Sequence, residues 1–319
     1  MPRLSPATCA AITALGVSFS PLALAGSGPW VISARDFSVY GGIEVQRIDE
    51  LALKDGLDSP DVIPVDDGIE TTFGSGVLTW GVRKRTELEL TVPYARVDAN
   101  RPGGPVCASL GPRTCATTTG LGVVVARAKW LALDELNGSP VSVAIGPELR
   151  LGQHTGPTRA RVTNLGEGTT DLGATVAIGR SGGLAEGSWS AHIDSTWRRR
   201  GSNRAADAPR LPGDELQLDA ELFAGLHPWW SIGPTASWWE RPEGVDFGEG
   251  DLSDIDRFGA LNGRNVRLGG KLLLRGADRT TLVIGASQTV AARNNPRIRA
   301  LSAGVSVYPQ RRTRTAEGR

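Results

Sequence analysis

The chain has little of what a helical membrane protein or an enzyme normally carries. It has one methionine and 3 histidines, and no stretch approaches the roughly 18 continuous apolar residues of a membrane-spanning helix. His154, His192 and His227 leave few candidates for a general base. The sequence also lacks Gly-x-Ser-x-Gly, His-Glu-x-x-His, a Walker loop and metal-ligand spacing of Cys and His. We therefore expect a protein that is not an enzyme and that uses no cofactor and no metal.

The chain also lacks a large excess of charge of either sign. Its 35 Lys and Arg residues against 34 Asp and Glu residues leave a net charge of +1. A nucleic-acid-binding protein would show a basic excess, so that class is disfavoured. Glycine, in contrast, is abundant at 41 residues, which favours strands and turns over helices.

The first residues have the three parts of a secretory signal peptide. Arg3 supplies a positive charge, Ala10–Phe19 is a short, mostly apolar stretch, and Ala23-Leu24-Ala25 is a small-x-small cleavage site. We therefore predict a signal peptide over 1–25, a barrel over 26–308 and a polar C-terminal tail over 309–319. The predicted location is the outer membrane of a Gram-negative cell, with both termini in the periplasm.

The few cysteines agree with export. Cys9 lies inside the predicted signal, and Cys107 and Cys115 share one Gly/Pro-rich segment. In an oxidising periplasm these two side chains could form a disulfide that stiffens a loop, although two unpaired thiols remain the alternative.

Two segments combine alternating polarity with one spacing of tryptophan. Trp189 and Trp197 are 8 residues apart, as are Trp230 and Trp238. A strand tilted by about 40° would separate such rings by about 20 Å of height, which is close to the apolar band of an outer-membrane barrel. Rings at both ends of an apolar face form an aromatic girdle, and the predicted members are Trp80, Trp130, Trp189, Trp197, Trp230, Trp238 and Tyr308.

Alternation and turn residues predict an all-β, antiparallel, up-and-down transmembrane β-barrel of about twelve strands. The predicted strands are 38–48, 69–82, 86–98, 119–133, 140–152, 168–180, 187–200, 214–226, 229–240, 264–275, 279–292 and 297–308. Their connections are alternately short and long, except at 293–296. Short periplasmic turns and long outer loops explain this alternation. A soluble β-sandwich would also alternate in polarity but gives no reason for this pattern of connections.

In these strands, the polar residues at alternate positions are predicted to point into the lumen. Its charged candidates for lining the lumen and for solute selectivity are Glu87, Glu89, Arg127, Lys129, Glu148, Arg150, His192, Asp194, Arg198, Glu215, Asp219, Glu221, Arg267, Lys271 and Arg275. They could be a structural network of ion pairs or a charged constriction that selects a solute. A hydrolase built on His192 and Asp194 fails because Ser195 has the opposite parity. The acidic loop from Glu240 to Arg264 lacks the spacing of a calcium site.

A series of motifs resembles one family of bacterial barrels. Gly81-Val82-Arg83-Lys84-Arg85-Thr86-Glu87-Leu88-Glu89-Leu90-Thr91-Val92-Pro93-Tyr94 is similar to a recurring hairpin of the "phenol meta-pathway degradation" transporter family. The segments 146–151, 155–156, 166–171 and 212–215 resemble later motifs of the same family in the same order. The resemblance covers most of 40–308 and implies an outer-membrane barrel associated with uptake of hydrophobic or aromatic compounds. The basic turn at Arg83 and Arg85 and the polar tail depart from the family pattern.

We therefore expect a channel or transporter for passive uptake of small, hydrophobic or aromatic solutes. The alternative is a structural or surface-interaction barrel whose lumen is plugged. The expected partners are outer-membrane lipid, lipopolysaccharide and a small-molecule solute, with no nucleic acid.

Overall fold

The computed structural model describes residues 28–52, 62–98, 117–152, 169–184, 187–201, 213–243, 262–276 and 279–308. The predicted signal peptide, the polar tail, the Cys107 and Cys115 pair and His154 lie outside the described residues, as does most of the acidic loop. Among the described residues, no helix is long and apolar enough to cross a membrane.

Strands make up almost all of the described chain. A one-turn 3-10 helix covers Glu135–Asn137. The strands are β1 (Phe37–Ala52), β2 (Val62–Arg83), β3 (Thr86–Asp98), β4 (Thr118–Leu121), β5 (Val124–Leu133), β6 (Ser142–Leu151), β7 (Thr170–Leu184), β8 (Gly187–Arg199), β9 (Glu215–His227), β10 (Trp230–Arg241), β11 (Gly263–Arg275), β12 (Thr280–Arg293) and β13 (Asn295–Val307).

These strands form one closed antiparallel sheet. Each pairs with its neighbours in sequence, and β13 pairs with β1 from Val39 opposite Val307 to Ala52 opposite Asn295. β4 and β5 both pair with β3 and follow one another along it, so the thirteen segments occupy twelve strand positions around the barrel. The predicted antiparallel barrel of about twelve strands is confirmed.

Two predicted strands differ in detail. The predicted strand 119–133 is interrupted at Gly122 and Val123, where the Gly122 amide donates to the carbonyl of Pro93. The predicted strand at 69–82 begins earlier, at Val62, because β1 and β2 continue as a hairpin after a shift in register between Ile48 and Glu50. Periodicity alone does not locate such bulges, since one extra residue reverses the parity of every later residue in the strand.

The apolar residues at alternate positions of the strands face outward. On β1, Val39, Ile43 and Val45 are exposed, whereas Tyr40 and Gln46, which have the other parity, are buried. In a sandwich the apolar faces would be buried between two sheets. An exposed apolar outer wall around a polar interior is instead what a barrel in lipid requires.

The barrel has two unlike ends. Five connections at one end are short: 84–85, 134–141, 185–186, 228–229 and 276–279. At the other end, five connections are long, and β12 joins β13 through Asn294 alone. The first strand begins and the last strand ends at the short-turn end.

Close strand contact at Gly146 gives a test of the β5–β6 seam. A Cβ atom there would lie 1.7 Å from the carbonyl oxygen of Ala128. We expect Gly146→Ala to lower the free energy of unfolding by roughly 1–3 kcal/mol, because the strands must move apart. Urea titration of the refolded protein in detergent measures this change. Gly41→Ala is the matched control, since no atom lies within 4 Å of its added methyl group. Equal stability of both variants would contradict the packing described.

Candidate functional site

The lumen has two unlike sides. Inward apolar side chains are concentrated on one side, on β1, β2, β3, β12 and β13: Ile48, Ile69, Phe73, Val77, Ala95, Val97, Val283, Ile298 and Ala300. Buried polar side chains such as Gln46, Thr71 and Thr79 lie among them. We call this side the apolar sector. The other side, from β5 to β11, carries most of the inward charges and is called the charged sector. A molecule in the lumen therefore meets more apolar side chains on one side and more ionic groups on the other.

Glu215 is the centre of the charged sector near the long-connection end. Its carboxylate accepts from Arg150 Nη1 at 3.0 Å, from Arg241 Nη2 at 2.7 Å and from Arg200. Arg198 Nη1 lies 4.0 Å away. Arg200 also contacts Asp171, at 2.8 Å from its Nε. All these side chains are at most 13% exposed, so the ion pairs are well shielded from water.

Glu148 links this cluster to the middle of the barrel. Its carboxylate accepts from Arg198 Nε and from Arg127 Nη2, each at 2.5 Å. Arg127 Nη1 lies 3.6 Å from Glu89, and Arg198 also donates to Gln217. Glu148 and Glu215 therefore each touch more than one arginine, and the network ties β3, β5, β6, β8 and β9 together. Such a network both fills the lumen and sets its charge.

Removal of the central carboxylate should destabilise the barrel strongly. Glu215→Gln leaves the surrounding arginines without their shared anion, and breaking a buried ion pair costs about 3–5 kcal/mol. We expect a loss of that size in the free energy of unfolding. Glu240→Gln is the control, because Glu240 lies on the outer wall opposite Arg264 and exposed pairs contribute about 0–1 kcal/mol. A loss below about 1 kcal/mol for Glu215→Gln would show that the cluster is not needed for stability.

A cavity of about 80 Å³ opens in the lumen beside β9 to β13 and β1. Its charged lining residues are Glu44, Asp219, Glu221, Arg267 and Lys271, and Thr235, Ser237, Ser287 and Ser302 add hydroxyls. Lys271 donates to Glu221, and Arg267 Nη2 lies 3.5 Å from Glu44. The volume is below the range of small-molecule sites in proteins.

The segment before the first strand crosses the lumen at the short-turn end. We call residues 28–36 the strap. It leaves β1 at Phe37 and reaches Asp194 on β8, whose Oδ2 accepts from the amide of Gly28 at 2.9 Å. β8 lies six strand positions from β1 in a barrel of twelve, so the strap spans the lumen from side to side.

Hydrogen bonds hold the strap along its length. The Arg35 amide donates to the carbonyl of Gly81, and Gly81 donates back to Asp36. The Ile32 amide donates to Glu87 Oε2, whose other oxygen lies 2.9 Å from Lys129 Nζ. Lys129 in turn donates to the carbonyl of Gly28. The predicted lumen charges thus bind backbone of the chain itself.

Trp30 fastens the middle of the strap. Its indole Nε1 donates to Glu135 at 3.0 Å, and its ring meets His192 edge-on with centroids 5.7 Å apart. Glu135 also accepts from the amide and hydroxyl of Ser181. Partial burial would raise the pKa of the Glu135 carboxyl, but the hydrogen bonds from Ser181 and Trp30 outweigh it and lower the pKa below its usual value. The carboxylate therefore stabilises this contact at neutral pH, and the contribution is lost only as pH falls below the usual range.

We expect Glu135→Ala to loosen the strap while the barrel stays folded. Loss of a charged acceptor costs about 1.5–3 kcal/mol, which corresponds to at least roughly tenfold faster exchange if the strap opens locally. Hydrogen–deuterium exchange of the peptides that cover 28–36 measures this. Leu136→Ala in the same turn is the control, because that side chain is 85% exposed. Unchanged exchange in Glu135→Ala would mean that the other strap contacts suffice.

The structure brings most of the predicted lumen residues into three groups. Arg127, Glu148, Arg150, Arg198 and Glu215 belong to the network near the long-connection end, and Glu89 lies at its margin. Glu87, Lys129, His192 and Asp194 surround the strap, and Asp219, Glu221, Arg267 and Lys271 line the cavity. Arg275 joins none of these groups, because it is exposed at the end of β11. Their role in selectivity stays a prediction.

The aromatic residues predicted for the girdle lie on the outer wall or at its ends. Trp80, Trp130 and Trp197 are strongly exposed, Tyr308 follows β13, and Trp189, Trp230 and Trp238 are partly exposed at outward parity. Trp239, next to Trp238, points inward instead and is covered by the guanidinium of Arg241 at 5.4 Å.

Sequence reasoning missed the strap and several of its partners. Gly28, Pro29 and Trp30 precede the first alternating segment and show no periodicity. The available signal was a tryptophan with no place in a strand, between a predicted cleavage site and β1. The lumen positions of Asp171 and Arg241 were also missed. Each residue lies at the end of a strand, where alternation does not fix the direction of a side chain. Neither ring nitrogen of His192 makes a hydrogen bond within the described chain, which gives no support to a hydrolase.

Comparison with known proteins identifies the fold. An outer-membrane channel from Pseudomonas putida F1 matches with a TM-score of 0.66 and 15% identity, covering 91% of this chain and 99% of that chain. The CymD monoaromatic hydrocarbon channel has a TM-score of 0.40 and 8% identity, covering 87% and 90% of the two chains. The Ralstonia pickettii toluene transporter TbuX has a TM-score of 0.37 and 8% identity, covering 93% and 97%. No family model and no curated protein matches the sequence. The first likeness shows that the chain has an outer-membrane β-barrel fold.

Proposed function

We propose that this chain is an outer-membrane channel for passive uptake of small solutes with an aromatic or other hydrophobic part. In this proposal a signal peptide over 1–25 directs export, and both termini and the strap face the periplasm. The orientation is supported by the position of the short turns and of both ends of the barrel at the same end.

The two-sided lumen is the observation that carries the proposal. Phe73 and Val77 of the apolar sector offer nonpolar contacts, and the cavity beside β1 and β9 to β13 offers charged groups and hydroxyls. An amphipathic solute can satisfy both surfaces at once, and neither contact needs to be strong. Weak binding is what passage requires, because the solute must leave as easily as it enters. Aromatic solutes, including those of phenol degradation, are proposed on this basis and on the sequence resemblance.

The strap favours a second candidate function. It spans the lumen at the short-turn end, and ion pairs fill much of the charged sector. If these contacts never open, the barrel is plugged and serves as a structural or surface-interaction protein. The two functions differ in whether solute or ions cross the folded barrel.

Flux through proteoliposomes free of lipopolysaccharide separates them. Benzenesulfonate carries a permanent charge and cannot cross lipid readily, so its entry reports on the protein. We expect it to enter several-fold faster than arabinose, and we expect discrete current steps in planar bilayers. Phe73→Ser should reduce this preference, since Phe73 faces the lumen at 8% exposure, whereas Phe37→Ser on the outer wall, at 44%, should not. Folded protein that conducts neither solute nor ions would support the plugged barrel. Equal rates for both solutes would reject the aromatic preference.

A further inference from the structure

Three arginines project from the outer wall near the long-connection end. Arg47 on β1, Arg96 on β3 and Arg299 on β13 have side chains that are 55%, 60% and 77% exposed. We call them the arginine patch. Their outward parity is fixed by exposed apolar neighbours two residues away, Val45, Tyr94 and Leu301. The arginines therefore continue the lipid-facing surface and do not face the lumen.

The patch lies at the upper edge of the apolar band. From Phe37 to Arg47 there are ten residues along β1, or about 33 Å, which a strand tilted by about 40° converts to about 25 Å of height. Phe37 marks the short-turn edge of the band. Arg47 is thus at the level of the lipid headgroups in the other leaflet, where a guanidinium is beyond the hydrocarbon.

Within the patch, positive charges face each other. Arg47 lies directly opposite Arg299 in the β1–β13 register. Like charges at such positions destabilise a sheet. Asp49 offsets this in part, because its carboxylate lies 2.6 Å from Arg47 Nε and 3.9 Å from Arg299 Nη2. Arg96 lies 3.3 Å from Asp98, and Glu70 is opposite Arg47. These carboxylates hold the guanidinium groups in place but leave most of their surface exposed.

The arginines are concentrated on one side of the barrel. Arg264 and Arg293 lie directly opposite one another at the same end, on β11 and β12. Across the barrel, β8 and β10 present Trp197 and Trp238 at this level, with Arg199 on the outer wall of β8 beyond Trp197. A belt that only anchors a barrel in lipid would be the same all round. A one-sided set of exposed guanidinium groups is instead suited to one bound anionic molecule.

We propose that the arginine patch binds the phosphate groups of lipopolysaccharide in the outer leaflet. Guanidinium groups bind phosphate through paired, charge-assisted hydrogen bonds. The acyl chains would lie along Val45, Ile43 and Leu301 below the patch, which are all exposed. The assignment to this leaflet rests on the proposed orientation, but it does not depend on which solute the lumen carries.

Binding of deep-rough lipopolysaccharide to the folded full-length mature barrel in mild detergent tests the proposal. The probes are this glycolipid with both lipid A phosphates, the same glycolipid after dephosphorylation, phosphatidylglycerol and inorganic phosphate. We expect the phosphorylated glycolipid to bind at least tenfold more tightly than the others. The double variant Arg47→Gln with Arg299→Gln should weaken that binding by roughly tenfold or more, since each lost contact is a charge-assisted hydrogen bond.

Arg180→Gln is the matched control, because Arg180 is exposed at outward parity on β7 toward the short-turn end. It should leave binding unchanged. The heat-dependent shift in gel mobility shows whether each variant is folded, and Arg299→Gln alone replaces the double variant if that one misfolds. Unchanged binding by the folded patch variant would overturn the proposal. So would binding of phosphatidylglycerol or inorganic phosphate as tight as that of lipopolysaccharide. Flux measured without lipopolysaccharide is unaffected by either result, so the two proposals fail separately.

Discussion

The pairing of the last strand with the first is the constraint on which the rest of the structure depends. In lipid, an unpaired backbone N–H or C=O group costs several kcal/mol, so a sheet that crosses the membrane cannot keep an edge. β13 and β1 meet this demand with one long ladder from Val39 to Ala52. Once the sheet is closed, alternation leaves each side chain only two environments. Every apolar residue of one parity meets lipid, and its neighbours must fill or line the lumen.

The crowding of charge inside follows from this closure. Twelve strands enclose a lumen between that of a filled small barrel and that of an open porin, and its buried inward charges neutralise one another in ion pairs. Glu148 and Glu215 do so by sharing their carboxylates among several arginines. The strap also satisfies carboxylates of the lumen, but it does so with backbone groups, because Glu87 and Asp194 accept hydrogen bonds from its amides. The interior therefore resembles a polar core more than an open pore.

The sequence predicted the features that depend on parity and missed those that depend on three-dimensional closure. The strand order, the outward tryptophans and the inward position of Glu148 follow from a period of two, which each strand shows by itself. The strap has no periodic polarity, and the residues that bind it come from strands on opposite sides of the barrel. The interruption at Gly122 is equally hidden, because it depends on how β4 and β5 meet Pro93. The opposition of Arg47 and Arg299 needs the β1–β13 register, which joins opposite ends of the chain.

The contacts of the strap differ between the two sides of the lumen. Its contacts with Asp194, Glu135 and Lys129 lie on the charged sector or its rim, whereas near β1 it is held through Gly81. Within the apolar sector, Glu87 on β3 accepts from the Ile32 amide of the strap, whereas Val77 and Val283 have no polar atom that could accept a hydrogen bond from it. Movement of the strap would therefore break polar contacts and leave the surface of these apolar side chains intact. A hydrophobic solute needs only that surface, so a path could open along the apolar sector while the ion pairs of Glu215 keep the barrel rigid.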